Sequence, residues 1–226
     1  MKLYGWMQNG QTLFGGEFLD NEILSQQLSA TNLQTARMKE IFNSYIDGLK
    51  NCLKEIEQQD IVGIAYLIYQ AYKMGNQIFI FGNGGSAATA SHMACDLKKG
   101  AIIPGKPRLK VTSLTDNVSL ITALSNDNGY ESVFFEQLYS QVEEGDVVVA
   151  ISCSGNSPNV IKAVEYAKNC GATVVAFTAF GGGQLLLKSD RCINLSTTDY
   201  GQGEDIAVSI EHILAAMIKE LIYIGE

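Results

Sequence analysis

Two histidines occur in the 226 residues, His92 and His212, and each has a carboxylate at a chemically suggestive distance along the chain. Asp96 follows His92 by four residues. In a helix that spacing places imidazole and carboxylate on one face. Such a pair suits a shared metal ion or a hydrogen-bonded acid–base couple. Glu204 precedes His212 by eight residues. On one straight helix that separation is about 12 Å along the axis. The two therefore meet one metal only if Glu204 precedes the regular helix, or if they come from different subunits. Gln202 is an alternative donor.

Two further segments have the composition of anion cradles. Phe81-Gly82-Asn83-Gly84-Gly85-Ser86 follows an apolar run and opens a helical pattern. Glycines there let backbone N–H groups approach a ligand, and the helix N-terminus favours negative charge. The spacing is GxGG rather than GxGxxG, which excludes a dinucleotide fingerprint. Ile151-Ser152-Cys153-Ser154-Gly155-Asn156-Ser157-Pro158 crowds three hydroxyls into another strand-to-helix turn, with Pro158 suited to the first turn of the helix. Hydroxyls and helix amides together form a neutral cradle for phosphate.

These segments must be positioned by an α/β fold. Strands are expected at Gln77 to Phe81, Leu109 to Ser113, Asp146 to Ser152, Thr173 to Thr178 and Arg191 to Leu195. Helices are expected at Ser86 to Leu97, Val118 to Leu124, Tyr130 to Val142, Ser157 to Cys170, Gly183 to Leu187 and Gly203 to Ile224. Such alternation implies a three-layer sandwich around a mostly parallel sheet of five strands. Both cradles then lie at carboxyl ends of strands, the edge where open parallel sheets bind ligands. Ahead of the sheet, Ile41, Tyr45, Leu49 and Leu53 predict one helix, and Ile61, Ile64, Ala65, Ile68 and Tyr72 a second. Asp60 is read as the N-cap of the second helix and Gly75 as its close, the two helices forming a hairpin. Residues 1–32 read as an extension with one short helix near Glu22 to Leu28, and 33–226 as the domain proper. Trp6, Phe14 and Phe18 suit packing across a neighbouring subunit, covering a pocket, or capping the core of their own chain.

Composition narrows the function classes. The net charge of −8 and the lack of a basic recognition helix in the first 75 residues argue against nucleic-acid binding. The apolar runs, such as Val147 to Ile151 and Val174 to Phe177, suit buried strands and are too short to span a bilayer. The first residues turn polar too soon for a signal peptide. Five cysteines, Cys52, Cys95, Cys153, Cys170 and Cys192, show no CxxC spacing and read as reduced thiols in the cytoplasm.

The Gly82 to Ser86 and Ser152 to Ser157 loops, with Leu120-Ile121-Thr122-Ala123-Leu124-Ser125-Asn126-Asp127 between them, resemble the sugar isomerase (SIS) domain family. The resemblance covers roughly Met38 to Ile224 and points to the family's phosphoheptose isomerase branch. It implies a five-stranded parallel sheet, a homotetramer with sites at subunit interfaces, and conversion of sedoheptulose 7-phosphate to D-glycero-D-manno-heptose 7-phosphate through an enediol. It implies substrate contacts from Asn83, Gly84, Gly85 and Ser86, and hydroxyl contacts from Asn126 and Asp127. Ser152, Ser154 and Ser157 would hold the phosphate, with Cys153 standing where the family usually has Thr. His92, Asp96, Glu204 and His212 would bind a divalent metal, zinc in this branch, and Glu204 would also face the substrate. Asp96 replaces a family Glu, and Glu204 a family Gln. Asp96 would act as base and His212 as its partner acid. A non-catalytic phosphosugar-binding adaptor of the replication-initiator-binding type, a sugar-phosphate-sensing regulator, and an enzyme for a different sugar phosphate are the alternative readings.

Overall fold

A computed structural model describes residues 7–8, 11–14 and 17–225, with side chains from residue 31 onward and at Asp20 and Gln26. Trp6, Phe14 and Phe18 lie outside the residues whose side chains are described. The chain divides into two compact units, Met1–Gly48 and Leu49–Glu226.

The first unit departs from the expected irregular extension. Three short antiparallel strands, β1 (Met7–Gln8), β2 (Gln11–Phe14) and β3 (Glu17–Asp20), pair in order. One unbroken helix, α1 (Asn21–Glu55), then runs where a short helix and a separate later one were expected. Ser29-Ala30-Thr31-Asn32, read as the end of the extension, contains neither Gly nor Pro. Nothing in it stops a helix that good formers continue on either side.

The second unit has the expected architecture. Helix α2 (Gln58–Met74) buries Ile61, Ile64, Ala65 and Ile68 on one face and closes at Gly75 in the left-handed conformation. Glu57, not Asp60, holds the N-cap position. Asp60 lies in the first turn, where its charge still favours the helix dipole. Then follow β4 (Gln77–Gly82), α3 (Gly85–Cys95), β5 (Lys110–Ser113), α4 (Val118–Asn128), α5 (Val133–Tyr139), β6 (Val147–Ile151), α6 (Pro158–Asn169), β7 (Thr173–Thr178), α7 (Gly183–Lys188), β8 (Arg191–Asn194) and α8 (Tyr200–Ile224). The single helix expected from Tyr130 is a 3-10 turn, Tyr130–Ser132, followed by α5.

The five strands form one parallel sheet in the order β5-β4-β6-β7-β8. Alternate side chains go to opposite faces. Ile78, Ile80, Val147, Val149, Val175 and Phe177 pack with apolar residues of α2, α3 and α8. Phe79, Phe81, Val148, Ala150, Val174 and Ala176 pack with α5 and α6. Burial on both faces explains why these strands read as unbroken apolar runs. The chain leaves β4 for β5 on one side and returns to β6 on the other. The carboxyl ends of β4 and β6 therefore flank a topological switch point, the crevice where such sheets take ligands. The register pairs Gly82 with Ile151, which sets the two cradle loops side by side.

Ile80 has no exposed surface, whereas Ile213 is 41% exposed. Ile80→Ala is expected to cost about 2–5 kcal/mol in urea unfolding. Ile213→Ala should stay within about 0.5 kcal/mol of the parent. Equal losses for the two would contradict this placement of the core.

Candidate active site

The crevice is lined by Asn83, Ser86, Ser152, Cys153, Ser154, Ser157, Tyr200 and Glu204. Gly84 takes φ 58° and ψ −124° ahead of α3, a conformation suited to glycine, and a Cβ there would meet nothing within 4 Å. The loop backbone is thus open to a ligand at the positive end of α3. Ser86, the second residue of α3, is buried against the crevice. Across from it, Ser157 stands at the N-cap of α6 yet makes no capping bond with its side chain. Its hydroxyl lies 3.4 Å from that of Ser152, and Pro158 occupies the first turn as expected. The Cys153 thiol is pushed up in pKa by burial and further by the Glu204 carboxylate, partly offset by a hydrogen bond with Ser86.

The two loops are tied together by a pair of amides. Asn83 Nδ2 donates to Asn159 Oδ1, and Asn159 Nδ2 donates to Asn83 Oδ1, each at 2.9 Å. The Tyr130 hydroxyl donates to Asn83 Oδ1 at 2.8 Å. The Asn83 side chain is therefore engaged in holding the cradle, and its loop faces the ligand through backbone. Asn159 and Tyr130 were not singled out in the sequence, since contacts across 76 and 47 residues leave no local spacing signal. Asn126 and Asp127 sit apart from the crevice lining. They are exposed on α4, with Asn126 Nδ2 donating to Asp127 Oδ1.

The histidines come together. His92 near the end of α3 and His212 on α8 place their ring centroids 4.9 Å apart, nearly perpendicular. After Cys95 the helix widens into a π-turn, Asp96–Gly100, but Asp96 keeps helical torsions, φ −68° and ψ −40°. The i, i+4 geometry is thereby retained: Asp96 Oδ2 lies 3.8 Å from His92 Nε2 and 3.5 Å from His212 Nε2. A fourth residue joins them. Glu211 Oε1 lies 3.3 Å from both His92 Nδ1 and His212 Nε2. One ligand atom from each of His92, Asp96, Glu211 and His212 falls within 4.8 Å of all the others. Tetrahedral bonds of about 2.1 Å put neighbouring ligand atoms about 3.4 Å apart, so the set has the spacing to surround one divalent cation. Burial pushes the Glu211 carboxyl up in pKa, while His212 and His92 draw it back down.

Glu204 of the same chain is not part of this group. It occupies the fifth position of α8, inside the regular helix, so the axial separation from His212 stands. A Cβ built on Gly85 would collide with the Glu204 carboxylate, which places that carboxylate on the first turn of α3, beside the cradle. Gln202 accepts a hydrogen bond from Thr197 Oγ1 at 2.9 Å. Glu211 did leave a trace in the sequence. Ala207, Ile210, Leu214, Ala215 and Ile218 form the buried stripe of α8, and Glu211 is a carboxylate within it.

The sequence pattern of the SIS domain family matches residues 43–179. A "Probable phosphoheptose isomerase" of Thermoplasma acidophilum is 41% identical over 72% of this chain and 88% of its own. The phosphoheptose isomerase of Aquifex aeolicus is 34% identical over 82% of this chain and 96% of its own. Among solved structures, phosphoheptose isomerase from Neisseria gonorrhoeae superposes with a TM-score of 0.75 at 29% identity, covering 83% of this chain and 99% of that one. With the five-stranded parallel sheet and its two strand-end loops, these matches establish that the chain belongs to the SIS domain family, alongside its phosphoheptose isomerases.

Proposed function

We propose that the protein is a phosphosugar isomerase that interconverts sedoheptulose 7-phosphate and D-glycero-D-manno-heptose 7-phosphate, with the phosphate in the Ser/Gly cradle and the reacting carbons at the histidine cluster. The observation that carries this reading is the placement of both groups along one helix pair. Gly85 meets Glu204 at the cradle, and His92 meets Glu211 seven residues further on in each helix. Seven residues advance about 10 Å. The extended path from the carbonyl carbon to the phosphorus of a heptulose 7-phosphate is roughly 9 Å, with carbon–carbon bonds near 1.5 Å. A triose phosphate covers about half of that path.

Aldose–ketose exchange moves a proton between adjacent carbons, and needs a base at the carbon and an acid at the oxygen. Asp96 takes the proton from C1, the carbon beside the ketose carbonyl, and delivers it to C2 of the enediol. His212, 3.5 Å from it, gives a proton to the carbonyl oxygen O2 as the enediol forms and takes the proton of the O1 hydroxyl as the aldehyde forms. Ser152, Ser154, Ser157 and the amides around Gly84 and Gly85 hold the phosphate, which fixes the sugar's distance from the cluster. Ser86 and the Cys153 backbone line the same cradle, and Glu204 faces the sugar beside it. His92, Asp96 and His212 would hold the divalent cation, and Glu211, whose buried carboxylate makes no hydrogen bond and lies 3.3 Å from a nitrogen of each imidazole, fits such an ion. Two imidazoles with carboxylates suit zinc, which when bound polarises the substrate's carbonyl and hydroxyl oxygens.

The working unit is a homotetramer whose neighbouring chains complete the sites. Support comes from α4, which buries no residue in its own chain and carries Asn126 and Asp127 exposed. A neighbour's crevice is where they would meet sugar hydroxyls. The reaction is placed in the cytoplasm, supported by five unpaired cysteines. Among the described residues, no helix is long and apolar enough to cross a membrane.

The direct test is turnover of sedoheptulose 7-phosphate by metal-stripped protein, before and after zinc is restored. Metal-dependent formation of the manno-heptose 7-phosphate is expected. Phosphosugar binding without turnover in either state would favour a binding protein instead. His212→Gln should lower kcat by about 10²–10⁴-fold, and unchanged turnover would remove His212 from the chemistry. Ser157→Ala should raise KM about five- to tenfold with kcat nearly preserved, as expected for loss of one phosphate hydrogen bond.

A further inference from the structure

Among the described residues, the buried side-chain polar atoms without a hydrogen-bond partner are the two carboxylate oxygens of Glu211. The residue has no exposed surface and sits in the apolar stripe of α8, between Ile210 and Leu214. A buried carboxylate that makes no hydrogen bond is costly, and native structures rarely keep one. This one points at the space between the two imidazoles, 3.3 Å from a nitrogen of each. Asp96 reaches the same space from the other helix. A cation there would be ligated by carboxylate oxygens that make no hydrogen bond within the chain.

We propose that Glu211 supplies the fourth ligand of the cation site, the place that the family pattern gives to residue 204. Two histidines and two carboxylates then surround the ion, and the two negative charges balance a divalent cation. Glu204 of the same chain lies outside this shell and belongs to the sugar-phosphate cradle, against the first turn of α3. Filling the site also stabilises the contact of α3 with α8, because ligands from both helices converge on one ion. This inference rests on the cation site of the proposed function, but not on the identity of the sugar.

The experiment is zinc titration of metal-stripped full-length protein by calorimetry, with melting temperature followed in parallel. The parent should bind one zinc per chain and melt at a higher temperature when loaded. Glu211→Gln should weaken zinc binding at least tenfold and lose most of the thermal shift. Glu204→Ala, which removes the donor altogether, should bind zinc within threefold of the parent. Glu211→Leu should melt no lower than the parent when both are metal-free, and should gain nothing from zinc. Anomalous diffraction from zinc-soaked parent crystals, which needs no variant to fold, should show a Glu211 oxygen about 2.0–2.2 Å from the ion. Parent-like titration of Glu211→Gln, a tenfold loss in Glu204→Ala, no zinc bound by the parent, or Glu211 absent from the ion's shell would each overturn the assignment. Sedoheptulose 7-phosphate turnover is read separately. Zinc bound in this pattern by a protein that never turns the sugar over would remove the isomerase reading and leave Glu211 in place. Zinc-dependent turnover with Glu211→Gln unaffected would do the reverse.

Discussion

The site depends on the side-by-side pairing of α3 and α8. Both lie on the same face of the sheet, where Ala90 and Met93 of one share a buried cluster with Ile206, Ile210 and Leu214 of the other. Advancing seven residues on each helix carries Gly85 to His92 and Glu204 to Glu211, so both contacts recur in step. Apolar packing between the two helices thereby fixes the distance between the Ser/Gly cradle and the histidine cluster. Neither element could shift by a turn without misplacing one of the two.

The sheet supplies the second constraint. Because β4 lies between β5 and β6, its loop cannot be covered by the strand connection on either side. The crevice stays open over the carboxyl ends of β4 and β6, and two helix N-termini, those of α3 and α6, point into it. Their partial positive charges let a protein of net charge −8 accept an anion without a single lysine or arginine lining the crevice.

Much of this was legible in the sequence where burial leaves a periodic mark. The strand at Thr173 to Thr178 was read residue for residue, because a fully buried parallel strand is an apolar run between polar ends. The two cradles were legible because Gly and Ser after such a run have few other uses. The sequence was less informative where the signal is an exception. Glu211 was hidden by its apolar neighbours, since a search for acid–histidine pairs at helical spacing passes over a lone charge in a buried stripe. Glu204 was drawn to His212 by a family pattern, although the regular start of α8 at Tyr200 keeps it two turns away. The amide pair joining Asn83 to Asn159 was illegible for a different reason: only the fold brings those positions together. Ahead of α2, Gly-, Asn- and Gln-rich sequence suggested irregularity where short strands and a 35-residue helix form.

That amide pair has a thermodynamic consequence. With Asn83 and Asn159 bonded in both directions, and Tyr130 fastened to the same oxygen, the walls of the crevice are cross-braced before any sugar arrives. The loss of freedom on binding then falls on the sugar and on displaced water rather than on the backbone of the loops. A polar ligand with few apolar carbons gains little from the hydrophobic effect, and is held instead by donors that need not be reorganised to receive it.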